Sequence, residues 1–471
     1  MKNYFDVIVI GAGPAGLSAA ACLAEMGLEV LTLDEQNQLG GQIFCNIETT
    51  LPKNRYLFGD DYDRGIKLAD RFRKSGAGYE NSASAWQVDP DGKICYSQSG
   101  KSRQIRANYV IAATGAMERP MPFPGWNLPG VMGAGAVNKL AKETSLRPSG
   151  DVVLAGSGPL LLLEASLLIK KGVQISAIFE TTPAIPPVSA FSHVPKALRR
   201  TDFLWKGVSM IREIKAAKIP FYRGVTHIRA LGQDTLQGVE AQCCNKRLNF
   251  KTDLLLVHFG VIPNTHIFRQ MGCRMSWKKN QRYWYPACDE WGRTNFERIF
   301  AAGDGALVSG GPAAQYKGEL AALEVAQCLG IIPQYERDAL AVSLKTALKQ
   351  DGYPRPFVDA VYAPPEHFSF EDKTVLCRCE NVTVGEVRKA VREGGRELNE
   401  IKIMTRCGMG PCQGRMCGPA LAEVVAAELA IPCKKTGLLN IRPPLKPIPL
   451  GEIANLTLEP PYKAANWLLY E

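Results

Sequence analysis

The chain has 471 residues, 46% hydrophobic and 22% charged, which excludes a disordered or collagen-like chain and, at roughly 100–200 residues per domain, implies two to four units. It contains no run of about 18 uncharged apolar residues, so no transmembrane helix is expected, and it opens straight into a strand-and-loop motif, so no secretory signal is expected. Lys plus Arg (56) exceeds Asp plus Glu (46), but the basic residues are spread out and no basic block is interleaved with aromatics; the reading is a solvated surface and no nucleic-acid partner, with a face for an acidic protein or anionic ligand second.

Residues 5–10 form a β-rich apolar run, as a buried parallel strand would. Gly11-Ala12-Gly13-Pro14-Ala15-Gly16 follows, then helical spacing of Leu17, Ala20, Ala21, Leu23 and Ala24. Gly27 ends that helix, and a second strand, 30–33, closes on Asp34 and Glu35. Strand, glycine turn, helix, strand and acid in register give the full context of a dinucleotide fingerprint. Gly11 permits a tight turn, Gly13 lets the backbone approach a pyrophosphate, and Gly16 lets helix and strand pack closely. The helix N-terminus offers free N–H groups to phosphate, and Asp34 can accept from ribose hydroxyls.

Three further segments point to FAD. Gly40-Gly41-Gln42-Ile43 follows the second strand. Strand 110–113 ends in Thr114-Gly115, and strand 299–302 ends in Gly303-Asp304, whose carboxylate can bond a ribityl chain. In this order they resemble the flavoproteins of the glutathione reductase type over roughly residues 5–340. The resemblance implies an α/β fold with two dinucleotide-binding domains.

Residues 151–155 enter Gly156-Ser157-Gly158-Pro159-Leu160-Leu161, followed by a helix, a strand at 173–179 and Glu180. In the resembled family this second βαβ unit binds NAD(P)H. Here Leu161 holds the third small position, which predicts a helix set farther out and a narrowed pyrophosphate site. The expectation is a retained fold that does not take NAD(P)H.

Of 14 cysteines, eight are scattered before residue 330 and six fall within residues 377–433. The eight read as small buried hydrophobes in a reducing, cytoplasmic compartment. Disulfide reductase chemistry is set aside: Cys45 stands alone, and Cys243-Cys244 are adjacent, so neither makes the usual exchanging pair. The clustered thiols read as metal ligands. Cys377-Arg378-Cys379 and a later Cys412-x4-Cys417 flank a capping box, Thr383–Glu386, opening one helix, and Gly418-Pro419 opens a second. Gly408, Gly410 and Gly414 leave backbone N–H groups free to approach sulfur. Four thiolates suit zinc or a [2Fe–2S] cluster. The Cys-x-Cys start is unusual for zinc, and a flavin neighbour gives an electron carrier a purpose. The segment resembles the small α-helical [2Fe–2S] domain of bacterioferritin-associated ferredoxin. That resemblance implies Cys377, Cys379, Cys412 and Cys417 as ligands, although Cys407-x4-Cys412 repeats the spacing.

The expected organisation is a FAD-binding domain at 1–118 and 250–345, a degenerate NAD(P)-binding-like domain at 119–249, a Pro-marked linker at 346–374, the [2Fe–2S] domain at 375–433, and a Pro-rich tail at 434–471 packed as an extended arm on this chain or a partner. The combination resembles the FAD/[2Fe–2S] α-type subunits of heteromeric amine and amino-acid dehydrogenases: the A subunit of opine oxidase, the B subunit of hydrogen cyanide synthase, hydroxyproline dehydrogenase α and the middle of sarcosine oxidase α. The resemblance implies an electron-relay subunit. A second, amino-acid-oxidase-like flavoprotein subunit would carry out C–N oxidation, with an FMN at the interface and a small ferredoxin-like subunit as a further partner. No general base is evident: the five histidines, His193, His227, His258, His266 and His367, are isolated, and Glu118-Arg119 reads as a surface ion pair. The alternatives are a stand-alone NAD(P)H-dependent reductase using the cluster as outlet and a nucleotide-holding assembly subunit.

Overall fold

The computed structural model describes residues 2–50, 61–144, 146–244, 246–365 and 370–456. Two mainly parallel sheets, each built on a glycine-turn βαβ unit, carry the chain, and a small helical unit closes it.

In the first sheet, β1 (Tyr4–Ile10) lies between β2 (Val30–Leu33) and β6 (Lys101–Ala112), parallel to both. β3 (Gly78–Glu80) extends the sheet beyond β2, and Ile299–Ala301 pairs in parallel with the end of β6. β4 (Ser84–Val88) and β5 (Lys93–Gln98) add an antiparallel edge on the first half of β6. Val7, Ile8, Val9, Val110 and Ile111 are fully buried, as expected for a sheet covered on both faces. Helix Pro14–Glu25 covers one face beside helix Gly311–Cys328. A Cβ on Gly318 would stand 2.1 Å from the Ala15 carbonyl, so the small residues there set how closely the two helices approach.

The second sheet runs Phe221–Arg223, Ile175–Glu180, Val152–Ser157, Leu254–Phe259, Val131–Gly133, all parallel. A three-stranded antiparallel meander, Val225–Leu231, Gly238–Cys243 and Lys246–Lys251, packs with it. This corrects the boundary at 250. The apolar run 254–259 belongs to the second sheet, and the crossing back is Val261–Pro263, antiparallel to Ala116–Glu118.

The segment 346–374 is not a plain linker. Its first residues complete helix Gln334–Asp351, and Arg355–Val361 forms another helix, with a proline in its first turn. Proline is tolerated there because that N–H has no intrahelical acceptor.

The closing unit has strand Val375–Cys377 against Val382–Thr383 and helices Val384–Arg392, Leu398–Thr405 and Gly418–Glu428 around a core that includes Val387, Val391, Leu421 and Val425. It docks on the second unit through the Trp126 indole, which donates to the Val375 carbonyl at 2.6 Å, and an Arg229–Glu371 ion pair at 2.5 Å. The described part of the tail packs on this chain. Leu439, Ile441 and Leu445 are buried, and Leu445 N–H donates to the Trp86 carbonyl on the first unit. Trp467 and Tyr470 lie outside the described residues.

Candidate functional site

The first groove assembles at the C-terminal ends of β1, β2 and β6. Gly11 has φ +109°, and a Cβ there would meet the Ala113 carbonyl at 2.4 Å. A Cβ on Gly16 would meet the Gly11 carbonyl at 1.8 Å, so only glycine lets helix and turn close. Beyond Gly13, a Cβ would find only Gly41 Cα, at 3.9 Å, which leaves the backbone open where a pyrophosphate approaches.

Asp34 is buried and accepts from the N–H groups of Ala12 and, at 2.6 Å, Gln36. Burial pushes its carboxyl up, against the pull of those two donors. Pro14 and Ala15, both buried, open helix Pro14–Glu25 beside this turn. The Thr114 hydroxyl donates to the Asn264 carbonyl at 2.9 Å, and the Asn264 amide returns a bond to the Thr114 carbonyl at 2.9 Å. A Cβ on Gly303 would strike that of Ala15, and one on Gly305 the Thr114 hydroxyl; Gly115 lies beside it. Asp304 accepts from the N–H groups of Ser309 (2.7 Å) and Gly310 (2.9 Å). Gln42 and Glu35 are exposed. Glu35 pairs with Lys446 of the tail, a contact with no sequence signal. The cradle fits a dinucleotide.

The second groove differs. Gly156 occupies the place of Gly11, with a Cβ there 1.8 Å from the His258 carbonyl, but Leu161 is fully buried where Gly16 stands in the first unit. Glu118 and Arg119 are not a surface pair. The Glu118 carboxylate meets His258 Nδ1 at 2.7 Å and accepts from Gly135 N–H at 3.2 Å, which sets a negative group at the N-terminus of helix Ala134–Thr144. His258 is therefore not isolated. Its other ring nitrogen lies 3.4 Å from where a Gly158 Cβ would be. Glu180, buried at its strand end, holds Arg223 at 2.8 Å.

Cys45 donates to Glu143 at 3.3 Å, and burial pushes its thiol up to about 11, so it is no thiolate nucleophile. The Cys243 and Cys244 sulfurs are 3.9 Å apart.

In the closing unit the sulfurs of Cys377, Cys407 and Cys417 lie within 4.8 Å of one another, all buried. The S–H groups of Cys407 and Cys417 and the N–H groups of Gly408 and Glu380 hold Cys377 far below the ordinary thiol range, at about 2. The same sharing pushes Cys407 and Cys417 up. Cys379 and Cys412 hydrogen-bond each other alongside; burial, the larger effect, pushes Cys379 up. The structure thus brings Cys377 and Cys417 together with Cys407, and Cys379 together with Cys412. The gathered set among the described residues is the buried triad Cys377, Cys407 and Cys417, in which Cys407 joins two of the four thiols the sequence reading assigned, while Cys379 is exposed and Cys412 part-buried. Gly410 must lack a side chain, since a Cβ would stand 2.2 Å from that of Cys379. Buried, closely spaced sulfurs met by backbone N–H groups fit an iron–sulfur site.

Two family models match the chain: pyridine nucleotide-disulphide oxidoreductase over residues 5–330 and the sarcosine oxidase A3 domain over residues 371–456. The A subunit of opine oxidase from Agrobacterium tumefaciens (strain Ach5) is 35% identical over 467 residues, covering 97% of this chain and 92% of that protein. The HcnB subunit of hydrogen cyanide synthase from Pseudomonas aeruginosa is 28% identical, covering 96% and 99%. The crystal structure of L-proline dehydrogenase from P. horikoshii superposes with a TM-score of 0.70 at 21% identity, over 96% of this chain and 80% of that one, and shows the same fold.

Proposed function

Since the chain belongs to the pyridine nucleotide-disulphide oxidoreductase family and, over nearly its whole length, to the group of the opine oxidase A subunits, we propose that it is the electron-relay subunit of a heteromeric amino-acid or amine dehydrogenase. Family membership implies FAD and a flavoprotein oxidoreductase subunit. No helix among the described residues is long and apolar enough to cross a membrane. In this reading an opine-, proline-, glycine- or sarcosine-type substrate is oxidised on a partner flavoprotein subunit, with an FMN at their interface. The chain passes the electrons to an acceptor, in the cytoplasm.

The observation that carries the reading is the thiol cluster seated on a unit docked to the dinucleotide fold. Gly11, Gly13, Pro14, Ala15, Gly16, Asp34, Glu35, Gly41, Gln42, Thr114, Gly115, Gly303 and Asp304 would hold FAD. Cys377, Cys379, Cys412 and Cys417 would hold the [2Fe–2S] cluster, with Cys407 as a fifth, inner thiol. Bound there, the two groups supply one- and two-electron transfer. The chain's own residues position them, bury Cys377 and Cys417, and present N–H donors to thiolate. The second unit is read as a retained fold: Leu161 and the Glu118 carboxylate both work against a pyrophosphate.

The test is co-purification. A second flavoprotein should accompany the chain, and an amino or imino acid should bleach the flavin in the complex only. Bleaching of the isolated chain by NADH or NADPH would overturn the relay reading in favour of a stand-alone reductase.

A further inference from the structure

A cavity of about 80 Å³ lies between the first unit and the cysteine unit, where helix His266–Gln270 and the hairpin Met275–Lys278 with Tyr283–Pro286 meet residues 414–439. Arg119, Arg269, Arg282 and Arg415 line it, and Trp277 and Trp284, in edge contact at 5.2 Å, form an apolar wall. Of the four guanidinium groups, Arg282 has a carboxylate, Glu423 at 3.2 Å. Arg119 is 4% exposed and donates only to the carbonyls of Gln281 and Arg282; its Nε has no partner. Arg269 donates to the Leu439 carbonyl, and its Nε is likewise unmet. Among the described residues no carboxylate pairs with Arg119, Arg269 or Arg415. His266, bonded to the Gln413 carbonyl, is pushed down to about 3 by burial and by Arg269 and Arg415, so it adds no charge.

A buried cation with no carboxylate bonded to it is costly, and neutral carbonyls compensate it only in part. Arg119 also feels the Glu423 carboxylate that bonds Arg282, whereas among the described residues no acid is bonded to Arg269. A space of this size has room for a small oxyanion with a few waters.

We propose that this cavity is an oxyanion site, taking the phosphate or carboxylate group of a small ligand between the guanidinium groups of Arg119 and Arg269. The proposal stands apart from the relay reading, because it concerns an anion held by arginines and no electron transfer.

The full chain with its native cofactors is titrated calorimetrically with inorganic phosphate and, separately, with acetate, with chloride keeping ionic strength fixed. Saturable one-to-one binding of phosphate supports a phosphorylated ligand, and of acetate a carboxylate one. Arg269→Met should weaken binding about tenfold or more, as expected for loss of a charge-assisted bond. Arg73→Met, at a surface pair with Glu48, should leave it unchanged. Because Arg269→Met could fail to fold, the melting temperature of the unsubstituted chain is a second readout: it should rise with the binding anion beyond the chloride control. No saturable heat and no anion-specific rise overturns the proposal. So does equal binding by the Arg269→Met variant.

Discussion

Gly16 and Leu161 stand at equivalent places in two copies of one supersecondary unit, a glycine against the Gly11 carbonyl in the first and a fully buried leucine in the second. Gly16→Ala puts a methyl 1.8 Å from the Gly11 carbonyl, so the helix must move off the turn. Flavin bound per chain, read from its visible absorbance, should fall about tenfold or more. The thiols offer a sharper pair. Cys417→Ser should cost the chain its iron, whereas Cys407→Ser should keep it, with a changed EPR signal. Iron retained after the first change would contradict the ligand set.

Glu164 makes a prediction of a different kind. It is fully buried, and burial pushes its carboxyl up from 4.5 to about 7. Between those values the folded chain keeps a proton that the unfolded chain has released, so stability falls as pH rises through the window. Glu164→Gln should therefore melt above the parent at about pH 8, and the gap should close toward about pH 4.5. A constant gap across that range would contradict the assignment.

At the scale of elements, helix Val384–Arg392 starts on the capping box that the sequence shows: Thr383 accepts from Glu386 N–H at 3.3 Å, and the Glu386 carboxylate accepts from Thr383 N–H at 2.8 Å. Thr383→Ala should cost about 1 kcal/mol in urea unfolding of the holo chain. Local signals of this kind were legible: glycine turns, strand ends, capping box and thiol spacing all concern residues near one another in sequence. What was not legible is long-range. An apolar run such as 254–259 looks the same whichever sheet receives it. Pro354 and Pro356 read as breakers, yet they stand at the N-cap and in the first turn of helix Arg355–Val361, where proline is tolerated. Cys407 could not be told from Cys412 by spacing, because both sit five residues before another cysteine; only the fold aims the Cys407 sulfur at Cys377. The Glu118–His258 and Glu35–Lys446 pairs join residues 140 and 411 positions apart, beyond any periodicity.

At the scale of the whole molecule, the three units meet edge to edge, with the tail fastened across two of them. His266 of the first unit bonds Gln413 of the cysteine unit, and Gln413 in turn donates to Pro444 of the tail at 2.6 Å. The thiols are thus tied to the body that carries the dinucleotide cradle, and are not on a free appendage. Truncation before Leu439 would uncover Gly408 and Gly414, whose pro-Cβ positions abut Leu439. The truncated chain should lose iron faster than the parent when challenged with a chelator, while equal rates would show that the tail is not part of the seat.

The most direct measurement is iron and acid-labile sulfide on anaerobically purified protein, with EPR of the dithionite-reduced sample. The relay reading predicts about two irons and two sulfides per chain and a reduced [2Fe–2S] signal that disappears in Cys417→Ser. Protein that carries flavin but no iron at these thiols would contradict it.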